Sequence, residues 1–510
     1  MSRIATTPFD RSDADVILRA ADLVEFRVHK NILAISSSFF ETMFSLPQSR
    51  QEVGKALPVV PVTERSATID TLLRIIYPVR NPFIASVKLA HDTLEAALKY
   101  DMVVAADYTK QELSGFIYTE PLRVFAIACI HGLEKIAKKA ADEAVTRGTI
   151  AGSYVPELEH ISAACYHRLL QYERVTAKER ISFEFCRSQT TKEDPSKPKV
   201  TAPSDDHSPA YLFNEAADVE IVTSDKVRFR VNGDIISLAS PVLCDKLLKA
   251  RRETKHYALH GIATGRTRSV LTVPEQSSTM KALLQLCYPS DMPVLSDQSI
   301  LISVFCAAKT YEMKRAVDLL WGKWSEFTSS NPLLSFFIAS SIEYREATTL
   351  AAKALLSKTR SELKTTYIDY MEIAKAGPYY RLLEYHKSCC RVARDLLYSR
   401  SSLSQQFRDK VNAMRCRHHT HAVSSVPAIA SSSVEPDWAR AYLSSAKELL
   451  AVLPDASVAR SDAVLGELLL QYTTSACSSC RKKAGLAIGV CTALENEIEK
   501  AITKVKFESD

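Results

Sequence analysis

Cysteine and histidine are the residues whose types and spacing could do chemistry in this chain. Cys416-Arg417-His418-His419-Thr420-His421 lies upstream of Cys477-Ser478-Ser479-Cys480. A Cys-x-x-Cys pair plus a distant Cys/His pair offers four nitrogen and sulfur ligands, the set that tetrahedral zinc takes. The spacing fits no known finger. Two readings therefore stand side by side: a structural zinc on Cys416, His418, Cys477 and Cys480, or solvated histidines beside unrelated thiols. Redox chemistry is a rival for Cys477 and Cys480. A helix is predicted from about Ala484 to Val505, and Arg481-Lys482-Lys483 adjoins the pair; both would favour a thiolate. No βαβ pattern surrounds them, which argues against thioredoxin-like chemistry. His29 stands at a strand end with no Ser or Cys partner in view, so a hydrogen-bonded structural role is expected and no catalytic residue is assigned. Lys249-Ala250-Arg251-Arg252 could touch phosphates. Without a recognition-helix signature, solvated surface is the better reading and nucleic acid is not an expected partner.

Composition excludes several function classes. The 510 residues suggest about three or four domains. Lys and Arg number 65 against 59 Asp and Glu, and a net charge of +6 is too small to imply a dominant polyanion partner. Glycine is scarce: 13 residues, about 2.5% against a usual value of roughly 7%. Hairpin-rich all-β folds need more of it at positive φ. Gly-x-Gly-x-x-Gly, Gly-x-x-x-x-Gly-Lys-Ser/Thr and Gly-x-Ser-x-Gly are all missing, so dinucleotide, P-loop and α/β-hydrolase readings lose their support. His-Glu-x-x-His and an EF-hand loop are missing too. Met1 to Pro8 holds no signal-peptide core, and no apolar run approaches the ~20 residues of a spanning helix. A cytoplasmic or nuclear chain with no membrane partner is expected, with its 12 cysteines mostly reduced. Cys129, Cys287 and Cys306 then read as small buried hydrophobes.

The elements that must position these residues occur twice. Phe26-Arg27-Val28-His29-Lys30-Asn31-Ile32-Leu33 matches Phe229-Arg230-Val231-Asn232-Gly233-Asp234-Ile235-Ile236, an offset of 203. Ala14-Asp15-Val16 and Ala217-Asp218-Val219 precede them. Leu72-Leu73-Arg74-Ile75-Ile76-Tyr77-Pro78 matches Leu283-Leu284-Gln285-Leu286-Cys287-Tyr288-Pro289 at 211, as do Pro121-Leu122 and Pro332-Leu333. Tyr166 to Tyr172 meets Tyr379 to Tyr385 at 213. Two large copies of one unit are the implication, rather than a short-period solenoid.

Each copy opens as a strand pair. Val219 and Ile221 alternate with polar residues, then Val227, Phe229 and Val231 do the same across a turn at Thr223-Ser224-Asp225-Lys226. Copy one has Val16-Ile17-Leu18, a turn, then Phe26 and Val28. A helix start follows. Ser38 with Glu41 would make a capping box, whereas strict alignment makes Ser37 the cap; copy two has Ser240-Pro241. Ile69, Leu72, Leu73, Ile76 and Tyr77 form one apolar stripe, mirrored by Met280, Leu283, Leu284, Cys287 and Tyr288, and a proline ends each helix. The fold class is α+β, mostly helical.

This order of motifs resembles the BTB/POZ domain. The family opens with Asp-Val, a hairpin, Phe-x-Val-His-Lys-x-x-Leu, small residues, Ser, Phe and Met-Phe. Asp15-Val16, Phe26, Val28-His29-Lys30, Leu33, Ser37, Phe40 and Met43-Phe44 fit it, making Asp15, His29, Ser37, Phe40 and Met43 its signature here, with Asp218 in copy two. Copy two has diverged: Asn232-Gly233 replaces His-Lys, and Leu243 stands where Phe40 stands. The arrangement is similar to that of fungal BTB proteins. The domains implied are BTB-like units at 13–110 and 217–320, helical extensions at 111–175 and 321–400, linkers at 176–216 and 401–436, and a C-terminal helical unit at 437–510. The resemblance implies a non-enzymatic protein–protein interaction scaffold. Many members dimerise, some present substrates to a cullin ubiquitin ligase, and others regulate transcription. About twelve residues precede Asp13, too few for the N-terminal helix that long-form members exchange. Arg80 to Val87 lacks the glutamate of the hydrophobic-x-Glu motif often seen in cullin binders. Pairing of the two copies within one chain is a further expectation, because a tether raises effective concentration.

Overall fold

The computed structural model describes residues 3–46, 57–150, 152–180, 182–186, 217–259, 268–288, 292–295, 297–398, 403–414, 437–473 and 478–508. The chain forms two compact units: Met1–Ile161 with Cys165–Ser188, and Gln189–Asp510 with Ser162–Ala164. Both are small sheets under many helices, an α+β, mostly helical fold.

In the N-terminal unit, β1 (Arg3–Ile4), β2 (Val16–Arg19), β3 (Val24–Val28) and β4 (Val59–Pro61) make a sheet of order β1-β3-β2-β4. β2 and β3 pair antiparallel with Val16 opposite Val28 and Leu18 opposite Phe26. These four side chains are buried, as the period of two requires. Leu23 takes φ 63° at the turn. α1 (Lys30–Ser36) and α2 (Ser38–Ser45) follow β3. α3 (Ser66–Ile76) buries Ile69, Leu72, Leu73 and Ile75. Ile75 thus takes the core place that spacing alone assigned to Ile76, which is half-buried. α4 (Val87–Lys99) and α5 (Val103–Gly115) complete this part, and α6 (Pro121–Ile130), α7 (Glu134–Thr146) and α8 (Ala163–Tyr172) extend it. Pro121 opens α6 at its first turn, where no N–H is needed.

The segment 176–216 was expected to be linker from its first residue. Its beginning is not: α9 (Ala177–Arg180) forms there, and Phe185 is wholly buried. Phe125, Tyr172 and Phe183 surround the Phe185 ring at centroid distances of 5.1, 5.0 and 5.1 Å. One aromatic residue with a waiting pocket outweighs the polar composition around it. The part rich in proline, 187–216, lies outside the described residues.

In the second unit, β5 (Val219–Val222), β6 (Arg228–Val231) and β7 (Ser269–Thr272) make a sheet of order β6-β5-β7. Val219 faces Val231, and Ile221 faces Phe229. Lys226 takes φ 66° at the turn. The helices are α10 (Gly233–Ala239), α11 (Pro241–Leu259), α12 (Ser277–Cys287), α13 (Gln298–Thr310), α14 (Lys314–Ser330), α15 (Pro332–Ser341), α16 (Arg345–Ala354), α17 (Arg360–Thr365) and α18 (Ala376–Leu396). α19 (Gln405–Met414) lies inside the expected second linker and buries Phe407, Val411 and Met414. The serine content beyond it had masked that apolar stripe.

α20 (Asp437–Leu450), α21 (Asp462–Thr473), α22 (Ser478–Lys483) and α23 (Ala487–Thr503) end the chain. They were expected to form a unit of their own. Instead α23 packs on α18 and α19, and Phe507 lies 5.8 Å from Phe336 and 5.4 Å from Tyr385 between ring centroids. The apolar face of α23 (Val490, Leu494 and Ile498) is buried in the second unit. No described helix is long and apolar enough to cross a membrane.

His91 on α4 and His131 just after α6 meet edge to face, with centroids 5.4 Å apart. Burial holds both imidazoles below their ordinary range, His91 against the pull of Glu95, Asp92 and Glu157 and with His160 nearby, His131 with added repulsion from His91 and a counter-pull from Glu95. Burial depresses His386 in the second unit as well. With folded values depressed, the unfolded chain binds more protons below about pH 6.5, so stability is full above that value and falls as the pH drops. The urea midpoint should therefore decrease between about pH 7 and pH 5.5, and His91→Gln with His131→Gln should flatten that slope in the N-terminal unit. An unchanged slope in the double variant would contradict this.

Candidate interaction site

The signature residues converge on the start of α1 and α2. Asp15 Oδ1 accepts the Lys30 N–H at 2.7 Å, tying the strand before the hairpin to the first turn of α1. His29 is the N-cap of α1, and its N–H donates to the Tyr77 hydroxyl at 2.9 Å. Its ring Nδ1 lies 3.3 Å from the same hydroxyl, and Nε2 lies 3.6 Å from Asp13 Oδ1. The imidazole is thus a joint between α1 and the end of α3. Ser37, not Ser38, caps α2: its Oγ accepts the Phe40 N–H at 3.1 Å and donates to the Tyr100 carbonyl. Ser38 instead donates to Asp101. Phe40 is buried, with ring centroids 5.2 Å from Tyr100 and 5.9 Å from Phe44. Met43 is half-buried on the same helix. Tyr100 donates in turn to Glu64, and burial followed by that hydrogen bond pushes its phenol far up.

The second unit carries corresponding bonds. Asp218 Oδ1 accepts the Gly233 N–H at 2.8 Å, and the Asn232 N–H donates to the Tyr288 hydroxyl at 3.0 Å. Ser240 accepts the Leu243 N–H at 3.0 Å and donates to the Tyr311 carbonyl at 2.6 Å; Tyr311 donates to Glu275. One difference is local. Arg251, from the longer α11, reaches Asp218 Oδ2 at 2.6 Å. Gly233 makes the room, since a Cβ there would stand 2.7 Å from the Arg251 guanidinium. Burial pushes the Asp218 carboxyl up, but the Gly233 N–H and Arg251 outweigh it and hold it below the usual carboxylate range. Part of the basic run, expected to be solvated surface, is therefore engaged in the fold.

Ser37→Ala removes a cap and strands a buried carbonyl, so the N-terminal unit should lose about 2 kcal/mol. Ser240→Ala should cost the second unit a similar amount, read in each case from the denaturant midpoint at constant slope. A loss confined to one of the two variants would show that the equivalent bonds are not equivalent in energy.

Beside these joints several apolar side chains are exposed. Ile35 on α1 is 87% exposed, Phe39 and Leu46 on and after α2 are exposed, and Val103 and Val104 stand outward on the first turn of α5. Leu238 on α10 is 89% exposed. Sequence reasoning missed these residues because it sought buried stripes; apolar residues off the stripe were the available signal.

Residues 8–117 are a BTB/POZ domain. Such a domain is a protein–protein interaction module, and the BTB/POZ match spans β2 to β4 with α1 to α5, including every exposed apolar residue named above on those helices. No curated protein matches the chain. Among the described residues, no cluster of three or more His, Cys, Asp or Glu is placed to hold a metal ion. Cys416, His418 and Cys477 lie outside the described residues, and of Cys480 only the helical backbone in α22 is described.

Proposed function

We propose that this chain is a non-enzymatic interaction scaffold built on tandem BTB-like units. The observation that carries it is the BTB/POZ domain at residues 8–117 with exposed apolar side chains on α1, α2 and α5. What supports the tandem reading is the second unit's hairpin and its recurrent bonds: Asp218 to Gly233, Asn232 to Tyr288, and Ser240 to Tyr311. Support for self-association is the outward apolar residue at the matching place on each first helix, Ile35 and Leu238. Desolvating such residues is favourable at about 25 cal/mol per Å² of apolar surface.

The narrower form is pairing of the two BTB-like units within one chain. Light scattering of the full chain at micromolar concentration tests it: a monomer is expected, and a dimer that persists after deletion of 217–510 overturns intramolecular pairing.

The loop Arg80 to Val87 has no glutamate, so a cullin adaptor role is a separate reading that pull-down of a cullin would establish. A transcription-associated role would need nuclear location and DNA dependence. Structural zinc on Cys416, His418, Cys477 and Cys480 is a further proposal, tested by metal analysis of protein purified without chelator. Zinc-free protein would end it.

A further inference from the structure

Three thiols far apart in the sequence meet in the N-terminal unit. Cys129 lies near the end of α6, Cys165 on α8 and Cys186 just after the buried Phe185. The Cys186 thiol points at the Ala128 carbonyl at 3.9 Å, and the Cys165 thiol at the Phe185 carbonyl at 3.6 Å. Cys129 is in side-chain contact with both other thiols. All three are reduced. The backbone that carries Cys186 is held still: the Phe185 N–H donates to Glu134 at 3.0 Å and the Cys186 N–H donates to it at 2.7 Å.

We propose that hydrogen peroxide closes a disulfide between Cys129 and Cys186, stapling the segment 182–186 onto α6. Access selects the pair. Cys129 and Cys186 are partly buried and keep some surface open to solvent, whereas Cys165 is buried and engaged by Arg168 Nη2 at 3.5 Å. The order of steps follows from their surroundings. Burial, then contact with Cys165 and Cys186, raises the Cys129 thiol well above its ordinary range, which makes it slow toward peroxide. Cys186 meets the oxidant first. Its sulfur attacks one peroxide oxygen, an S–O bond forms, the O–O bond breaks and water leaves, giving a sulfenic acid. The Cys129 sulfur then attacks the Cys186 sulfur; the S–S bond forms, the S–O bond breaks, and the thiol proton departs with the oxygen as a second water. Two electrons pass from the two thiols to the peroxide. The staple adds a covalent tie beside the Phe183 and Phe185 rings, the Glu134 carboxylate and the Arg168 guanidinium that already hold the chain, directly before residues 187–216.

The test uses the full chain. It is treated with a small excess of hydrogen peroxide, its remaining thiols are alkylated, and a non-reducing digest is mapped by mass spectrometry. A peptide pair joining Cys129 to Cys186 is expected, and its loss in Cys186→Ser. In Cys129→Ser the sulfenic acid at Cys186 should persist and be trapped by dimedone. Cys186 linked to any other cysteine overturns the proposal. So does a digest without the 129–186 pair, whether the oxidised thiols are Cys477 and Cys480 or Cys186 driven to the sulfinic acid. The wild-type measurement needs no variant, so a substitution that fails to fold leaves the result standing.

Discussion

Phe185→Ala is expected to destabilise the N-terminal unit by about 3–5 kcal/mol, the range for truncating a fully buried aromatic ring. The ring is wholly buried among Phe125, Tyr172 and Phe183, which contribute edge and tilted contacts. Its backbone would stay tied: the N–H to Glu134, and the carbonyl to Arg168 Nε at 3.0 Å. A tied backbone limits collapse around the hole, so the cavity penalty should persist rather than relax away. Hydrogen exchange read by mass spectrometry should show protection lost in α6 and α8, with α12 to α14 unchanged. A change below about 1 kcal/mol would mean that the segment 182–186 is dispensable to the unit.

The second large effect belongs to Trp324. Its side chain is wholly buried and stacks on Phe305 at 4.1 Å with 7° between planes; Phe327 lies 5.3 Å away. Trp324→Ala should cost the second unit about 3–5 kcal/mol. Trp324→Phe should cost markedly less. The indole Nε1 is buried with no hydrogen-bond partner among the described residues, so phenylalanine discards an unsatisfied donor while keeping most of the stack. Denaturant midpoints of the two variants decide the matter: equal losses would mean that the indole N–H is satisfied after all. In both variants the exchange pattern of α6 to α8 should be unaltered.

Particular residues show how far patterning carries. The hairpin register was legible, because Val219, Ile221, Phe229 and Val231 alternate and only one register puts all four inside. The helix start at Ser240-Pro241 was legible for a local reason: proline at the first helical position needs no bonded N–H. The choice between Ser37 and Ser38 was not, since it is settled by the Tyr100 carbonyl, 63 residues further along. β1 was missed, two residues being too few to show a period. α19 and Phe185 were missed because window composition averages one buried ring with many polar neighbours.

For the candidate sites the division is similar. Motif spacing pointed to Cys416, His418, Cys477 and Cys480, which share local signals. Cys129, Cys165 and Cys186 share none, and their meeting depends on α6, α8 and the segment after α9 folding together. The sequence by itself determined the repeated pattern of strands and helices, the signature from Asp15 to Met43 and the absence of nucleotide-binding motifs, because each rests on neighbours within a few turns of chain. Only the tertiary structure decided which cap Ser37 makes, how Arg251 occupies the space beside Gly233, which apolar residues stay outside, and which thiols touch. Those outcomes depend on side chains distant in sequence competing for the same space, and periodicity carries no information about that.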